Sequence, residues 1–187
     1  MNGTLTTDGP LLGCVLAGGE SRRFGSDKAL ALLDGETLLS RAVGVLARHC
    51  AAVVVAGRGD DGASGVADWP EPGLGPLGGL AGALRHARDG GFAAVLAIGV
   101  DSIGLPDDLR VILSPAPACL AAQPVVGLWP VAALPVIETI LTGGERRSML
   151  HFAERTGARL VELAIPPANV NTPADLARLV LGPGKRD

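Results

Sequence analysis

Short apolar runs alternate with segments of helical period along nearly the whole chain, and this alternation restricts the fold more than any other feature. Leu11–Ala17 reads as a first strand, Ala51–Ala56 as a second, valine-rich one, and Phe92–Ile98 as a buried strand leading to Asp101. Further extended segments are expected at Ala29–Leu33, before a turn at Asp34-Gly35, and at Ala116–Ala121, Val125–Trp129 and Arg159–Leu163. Leu38, Leu39, Ala42, Val43 and Leu46 form one apolar helical stripe. A second helix opens at Pro76 or Leu77 and runs to about Arg88, closed by Asp89-Gly90-Gly91. Shorter helices are expected at Pro106–Leu113, from about Leu134-Pro135, and over Ser148–Thr156, while Gly57–Gly65 reads as loop. Thr172 as N-cap, Pro173 in the first turn and Asp175 three residues after the cap signal a last helix. Strands alternating with helices predict an α/β protein of three layers, with a mostly parallel open sheet covered on both faces. Ligands of such sheets bind beyond the carboxyl ends of the strands, where Gly18, the loop after Ala56, and Asp101 all fall. With no repeat, linker or low-complexity stretch, a single domain is expected over residues 1–187, with disordered tails at about 1–9 and 182–187.

The first strand ends abruptly in Gly18-Gly19, inside the segment LAGGESRRFGSDK from Leu16 to Lys28. Glycine lacks the Cβ that would block close approach, so backbone N–H groups there can meet a ligand. Arg22, Arg23 and Lys28 surround the same loop, and fixed dipoles together with mobile positive charge suit a polyphosphate. The spacing is neither that of a P-loop nor that of the G-x-G-x-x-G fingerprint. An ordinary strand-to-helix turn with solvated arginines would show the same glycine pair. Asp101 offers a hard oxygen ligand suited to Mg²⁺, which takes one or two carboxylates plus substrate phosphates. A lone aspartate can equally be a helix cap, but the glycine loop at the same sheet edge favours the metal reading.

Composition narrows the classes of function. Aromatic residues make up only 3% of the chain and tyrosine is absent, which argues against base-stacking platforms. A net charge of −3 offers no broad basic face, so no nucleic-acid partner is expected. No stretch reaches the roughly 18 apolar residues of a membrane helix, and MNGTLTTDGP has neither a basic nor an apolar signal region. Cys14, Cys50 and Cys119 are scattered in apolar surroundings without a C-x-x-C pair. They read as reduced core thiols of a cytoplasmic protein, a catalytic cysteine being the alternative. His49, His86 and His151 all fall in expected helices away from the strand ends, so no histidine base is expected.

LAGG followed by Arg23, Gly25 and Asp27-Lys28 resembles the signature of nucleotidyltransferases that join an NTP to a phosphorylated acceptor. Within that group, the second glycine of LAGG looks like the molybdenum cofactor guanylyltransferase family. The resemblance implies a Rossmann-like nucleotidyltransferase fold and covers about residues 11 to 181. DSIGLP, from Asp101 to Pro106, is similar to the family's Asp-x-Pro-x-x-Pro pattern and implies that Asp101 is the magnesium ligand. Ile103 stands where the first proline is usual. GLGPLGGLAGAL, from Gly73 to Leu84, resembles the segment that closes over the nucleotide, with Gly75, Pro76 and Leu77 at its head. Asp68 falls where the family has a nucleotide-contacting aspartate. The same glycines and prolines also suit a turn cluster and tight helix–sheet packing. Ala56-Gly57-Arg58 occupies the place of an asparagine found in some members, so that contact is not available here.

GGERRSM, from Gly143 to Met149, resembles the family's acceptor-side GERR loop, where Arg146 and Arg147 would hold an anionic phosphate. A solvated loop is the alternative. Asn169-Val170-Asn171-Thr172-Pro173 resembles the NVNTP segment thought to face the pterin, although helix capping accounts for Asn171 and Thr172 without a ligand. Gln123-Pro124 matches a Gln/His-Pro pair of the family, after an unusually short loop. GERR and NVNTP together narrow the resemblance to the molybdenum cofactor branch.

The implied reaction transfers GMP from GTP to the phosphate of molybdopterin or molybdenum cofactor, releases pyrophosphate and forms the guanine dinucleotide cofactor, with Mg²⁺ as the metal. Arg23, Lys28 and Asp101 would be catalytic. Leu16, Ala17, Gly18, Gly19, Lys28, Asp68, Gly75, Pro76, Leu77 and Asp101 would bind the nucleotide, and Arg146, Arg147, Asn169 and Asn171 the acceptor. Transient contact with other enzymes of cofactor synthesis or use is implied as well. Two rivals stay open: the same fold with CTP, or with an NTP and a sugar phosphate, and a nucleotide-binding module with little turnover. Ile103, the missing asparagine and the short loop before Gln123 motivate the second.

Overall fold

A computed structural model of the protein describes residues 9–18, 27–57 and 64–181. The chain first forms β1 (Leu11–Leu16), β2 (Leu32–Leu33), β3 (Glu36–Thr37), α1 (Leu38–Ala47), β4 (Ala52–Ala56) and β5 (Ser64–Val66). It continues through α2 (Gly75–Asp89), β6 (Ala94–Gly99), β7 (Ser102–Ile103), α3 (Leu109–Ile112), β8 (Ala118–Leu120) and β9 (Gly127–Pro130). It ends with α4 (Leu134–Thr142), α5 (Met149–Thr156), β10 (Arg159–Val161), β11 (Ala168–Asn169) and α6 (Pro173–Leu181).

Seven strands form one sheet in the order β10-β8-β9-β6-β1-β4-β5. β1 lies parallel to β4 and β6, β4 to β5, and β8 to β10, whereas β9 runs antiparallel to both of its neighbours. β1 and β6 are buried along their whole length, as central strands covered on both faces must be. Side chains alternate between two cores. Leu12, Cys14, Val95 and Trp129 face α2, α4 and α5 with Leu80, Ile137 and Phe152. Leu11, Val15, Leu96 and Ile98 face α1 and α3 with Leu38, Leu46 and Leu109. The result is the expected three-layer, mostly parallel α/β architecture. α2 lies close to the sheet because Gly82 has no Cβ, which would sit 2.1 Å from the Ala67 carbonyl oxygen.

Local differences from the sequence reading have local causes. Ala29–Leu33 was expected to be extended, but Lys28–Leu30 forms a 3₁₀ turn before β2, capped by Asp27, whose carboxylate accepts from the Ala29 amide at 3.1 Å. The end of the expected Gly57–Gly65 loop belongs to β5, paired with β4, although serine and glycine carry little strand propensity. The helix expected at Pro106–Leu113 narrows to Leu109–Ile112. The expected tails fall outside the described residues except for Gly9. Among the described residues, no helix is long and apolar enough to cross a membrane.

Candidate active site

The central strands bring the glycine loop and Asp101 to one rim. Leu16 pairs with Gly99 at the carboxyl ends of β1 and β6, and the Val100 amide donates to the Leu16 carbonyl at 3.3 Å. The Ala17 amide donates to the Ala56 carbonyl at 3.2 Å, tying this end to β4 as well. Gly57 has φ +80°, and a Cβ there would lie 2.6 Å from the Gly18 Cα, so only glycine lets the two loops touch. Beyond these strand ends opens a cleft of about 250 Å³, lined by Leu16, Ala17, Gly18, Lys28, Ala29, Pro76, Gly99, Val100, Asp101, Val125 and Asn169.

The capped 3₁₀ turn holds Lys28 over this cleft. Its Nζ donates to Asp101 Oδ2 at 2.6 Å and to Asn171 Oδ1 at 3.4 Å. The two charged side chains are only 14% and 22% exposed, so their attraction is screened less than that of a surface pair. A Cβ on Gly99 would lie 2.6 Å from Asp101 Oδ1, so the missing side chain makes room for the carboxylate. Asp101 is the acidic residue of the cleft lining. No group of three or more His, Cys, Asp or Glu side chains able to hold a metal occurs among the described residues. This donor set fits Mg²⁺ in the manner of nucleotide enzymes, where one carboxylate works with phosphate oxygens and water.

The Asn169–Thr172 segment is stitched directly to Asp101. β11 pairs antiparallel with β7, placing Asn169 opposite Ser102 and Ala168 opposite Ile103, and the Val170 amide donates to the Asp101 carbonyl at 3.2 Å. Ile103, in place of a proline, keeps a backbone N–H in this ladder. Thr172 and Asp175 form a reciprocal cap on α6. Asp175 Oδ2 accepts from the Thr172 amide at 2.9 Å and the Asn171 amide at 3.1 Å, and Thr172 Oγ1 accepts from the Asp175 amide at 3.2 Å. Hydrogen bonding from the Thr172 side chain, and then from the two amides, holds the Asp175 carboxyl below the usual carboxylate range. Capping therefore engages Thr172 and the Asn171 backbone, while the Asn171 side chain turns to Lys28.

The other expected site residues divide. Pro76 lines the cleft at the start of α2, a helix with no side-chain N-cap hydrogen bond, and the positive end of a helix dipole favours an anion. Gly75 opens that helix with φ +68°, and the Leu77 side chain is buried in the core. Asp68 braces the preceding turn, accepting from the Gly73 amide at 3.3 Å. Arg146 and Arg147 lie in the α4–α5 connection and do not line the cleft. Arg147 donates to the Leu141 carbonyl at 3.2 Å, Arg146 is exposed, and Glu145 pairs with Arg155 and, at 2.8 Å, with His151 Nε2. Arg155, followed by His151, holds the Glu145 carboxyl below its usual range. Gly19, Arg22, Arg23, Gly25 and Arg58 lie outside the described residues. Ala29, Gly99, Val100 and Val125 are cleft residues that the sequence reading missed, since small apolar residues carry no chemical signal. Burial pushes Cys14 and Cys50 up to about 12 and Cys119 up to about 11, so none of the three is a ready thiolate nucleophile.

The model of the MobA-like NTP transferase domain family matches residues 13–162. The molybdenum cofactor guanylyltransferase of Acidiphilium cryptum is 36% identical, over 87% of this chain and 90% of that protein. The enzyme of the same name from Rhodobacter capsulatus is 35% identical, over 90% and 94%. Among solved structures, molybdopterin-guanine dinucleotide biosynthesis protein A from Archaeoglobus fulgidus superposes with a TM-score of 0.71 at 20% identity, covering 91% of this chain and 97% of that one. Rv0371C from Mycobacterium tuberculosis, in complex with manganese, gives a TM-score of 0.65 at 18% identity, covering 93% and 99%. These structural likenesses bear on the fold.

Proposed function

This chain belongs to the molybdenum cofactor guanylyltransferase family of MobA-like NTP transferases, and on that premise we propose that it transfers GMP from GTP to the phosphate of molybdopterin or molybdenum cofactor. Pyrophosphate leaves and the guanine dinucleotide cofactor forms. The observation that carries this reading is the 2.6 Å contact of Lys28 with Asp101 at the rim shared by the glycine loop, α2 and Asn169.

An acceptor phosphate oxygen forms the new bond to the α-phosphorus as the bond from that phosphorus to the β-bridging oxygen breaks, and pyrophosphate keeps the electron pair. A phosphate acceptor is ionised at neutral pH, so the protein needs no general base. The work left to the chain is alignment and charge neutralisation. Lys28 exchanges the Asp101 carboxylate for a phosphate oxygen, the Gly18 backbone and the start of α2 meet the triphosphate beside Leu16 and Ala17, and Gly19 and Arg23 would add an amide and a charge. Asp68, Gly75 and Pro76, with the backbone of Leu77, shape the nucleoside side. Asn169 and Asn171 orient the acceptor, with Arg146 and Arg147 drawing its anionic end. Asp101 would hold Mg²⁺ together with phosphate oxygens, and the bound ion would neutralise charge developing on the triphosphate. The free thiols of Cys14, Cys50 and Cys119 support a cytoplasmic setting.

Pyrophosphate release with Mg²⁺, acceptor and a panel of nucleotides tests the reading, together with thermal shift on each nucleotide. GTP gives the largest shift and acceptor-dependent release. Equal or larger responses to CTP, or GTP binding without release, contradict it.

A further inference from the structure

We infer that Gln123 is a positioning residue, one that registers the acceptor segment against Asp101; this deepens, and rests on, the function proposed above. Ser102 and Gln123 are the buried polar side chains of the described structure, at 6% and 9% exposure, and they bond to each other. Gln123 Oε1 accepts from the Ser102 hydroxyl at 3.0 Å, and its Nε2 donates to the Pro167 carbonyl at 2.8 Å. A carbonyl can only accept, so the amide must turn its nitrogen to Pro167 and its oxygen to Ser102. Ser102 follows Asp101 directly, and Pro167 lies two residues before Asn169. One carboxamide thus bridges the segment bearing the carboxylate and the segment bearing the acceptor-side asparagine.

The bridge matters because the rest of this junction is slight. β7 and β11 pair over two residues and form no part of the seven-stranded sheet, and so short a ladder is marginal alone. Gln123, by contrast, is anchored to the large sheet. Its carbonyl accepts from the Val126 amide at 2.9 Å in the turn between β8 and β9, and the Leu120 amide donates to the Val126 carbonyl at 2.9 Å. Rigidity therefore passes from the sheet through Gln123 to the ladder, and so to Asp101 and Asn169 together. Apart from Asp101 and its partner Lys28, the nucleotide side of the cleft depends on none of these bonds: Leu16 to Gly18 and Pro76 are held by β1 and α2.

Q123M keeps the length of the side chain and removes both bonds, leaving a buried hydroxyl and a buried carbonyl unpaired. S102A removes one bond and spares the contact with Pro167. Each variant is measured for GTP affinity, for steady-state acceptor KM and kcat, and for thermal stability. A small displacement of reacting groups costs up to about 100-fold. Q123M is expected to raise acceptor KM or lower kcat by about 10- to 100-fold, with GTP affinity in the absence of Mg²⁺ changed less than about twofold. S102A shows a smaller change of the same kind and keeps the inference testable if Q123M does not fold. Unchanged acceptor kinetics in the folded variants, or metal-free GTP affinity falling in step with acceptor affinity, overturns the positioning role while leaving guanylyl transfer intact. A wild-type protein that transfers nothing overturns the proposed function and, with it, this inference.

Discussion

Replacing Lys28 by methionine removes the ammonium lying 2.6 Å from Asp101 Oδ2 and keeps most of the side chain's apolar bulk. Two opposite effects set the size of the change. Loss of one partner strands the other charge, which costs about 3–5 kcal/mol for a fully buried pair. Here the side chains are 14% and 22% exposed, so water can reach the orphaned carboxylate and the cost falls to about 1–2 kcal/mol. For a chain of this length, that corresponds to a fall in melting temperature of roughly 2–8 °C. The double-mutant cycle with Asp101→Asn isolates the contact: once the carboxylate is neutral, Lys28→Met has no charge to strand, and the second substitution costs less than the first. Denaturant unfolding of the four proteins should give a coupling of about 1–2 kcal/mol. Strict additivity would refute the reasoning, because it would mean that Lys28 and Asp101 do not meet in solution. Turnover should fall by about 100-fold or more in each single variant, since neither charge can be replaced at the phosphates.

Gly99→Ala should leave the core intact but displace the Asp101 carboxylate, because the new Cβ would lie 2.6 Å from Oδ1; Mn²⁺ bound in the presence of GTP, read by electron paramagnetic resonance, should weaken about tenfold or more. Asp175 is held below the usual carboxylate range by the Thr172 side chain and then the amides, so its share of stability is complete above the ordinary range and is lost as pH falls through the lower folded value. The start of α6 should therefore loosen in acid, and Asp175→Asn should remove this pH dependence from the Thr172 amide signal in NMR spectra. Cys14, pushed up to about 12 by burial, should resist iodoacetamide at neutral pH and react only after denaturant, as mass spectrometry would show.

The main elements were readable because their signals are local. β1 and β6 are apolar runs bounded by glycine or a carboxylate, and the stripe of Leu38, Leu39, Ala42 and Leu46 marks the buried face of α1. Elements created by tertiary contact were not. β5 has a Ser-Gly start, and β7 and β11 exist only because Asp101 and Val170 are brought together across the chain. The site shows the same division. Gly18, Lys28 and Asp101 stand out as residue types at strand ends, whereas the approach of Asn171 to Lys28 joins positions 143 residues apart and has no local mark. Gly99 is legible only from the atom it lacks. The arginine pair at 146–147 was readable as a motif, but not the way Glu145 binds His151 and Arg155, or the bond of Arg147 to the end of α4.

The most direct test is mass spectrometry of the product formed by the purified chain from GTP, Mg²⁺ and a molybdopterin-type acceptor, with Asp101→Asn run alongside. The account requires an acceptor heavier by one guanylyl group and an equal amount of pyrophosphate, both lost in the variant. An acceptor that stays unmodified while GTP binds, or a product that forms equally well with Asp101→Asn, would contradict it.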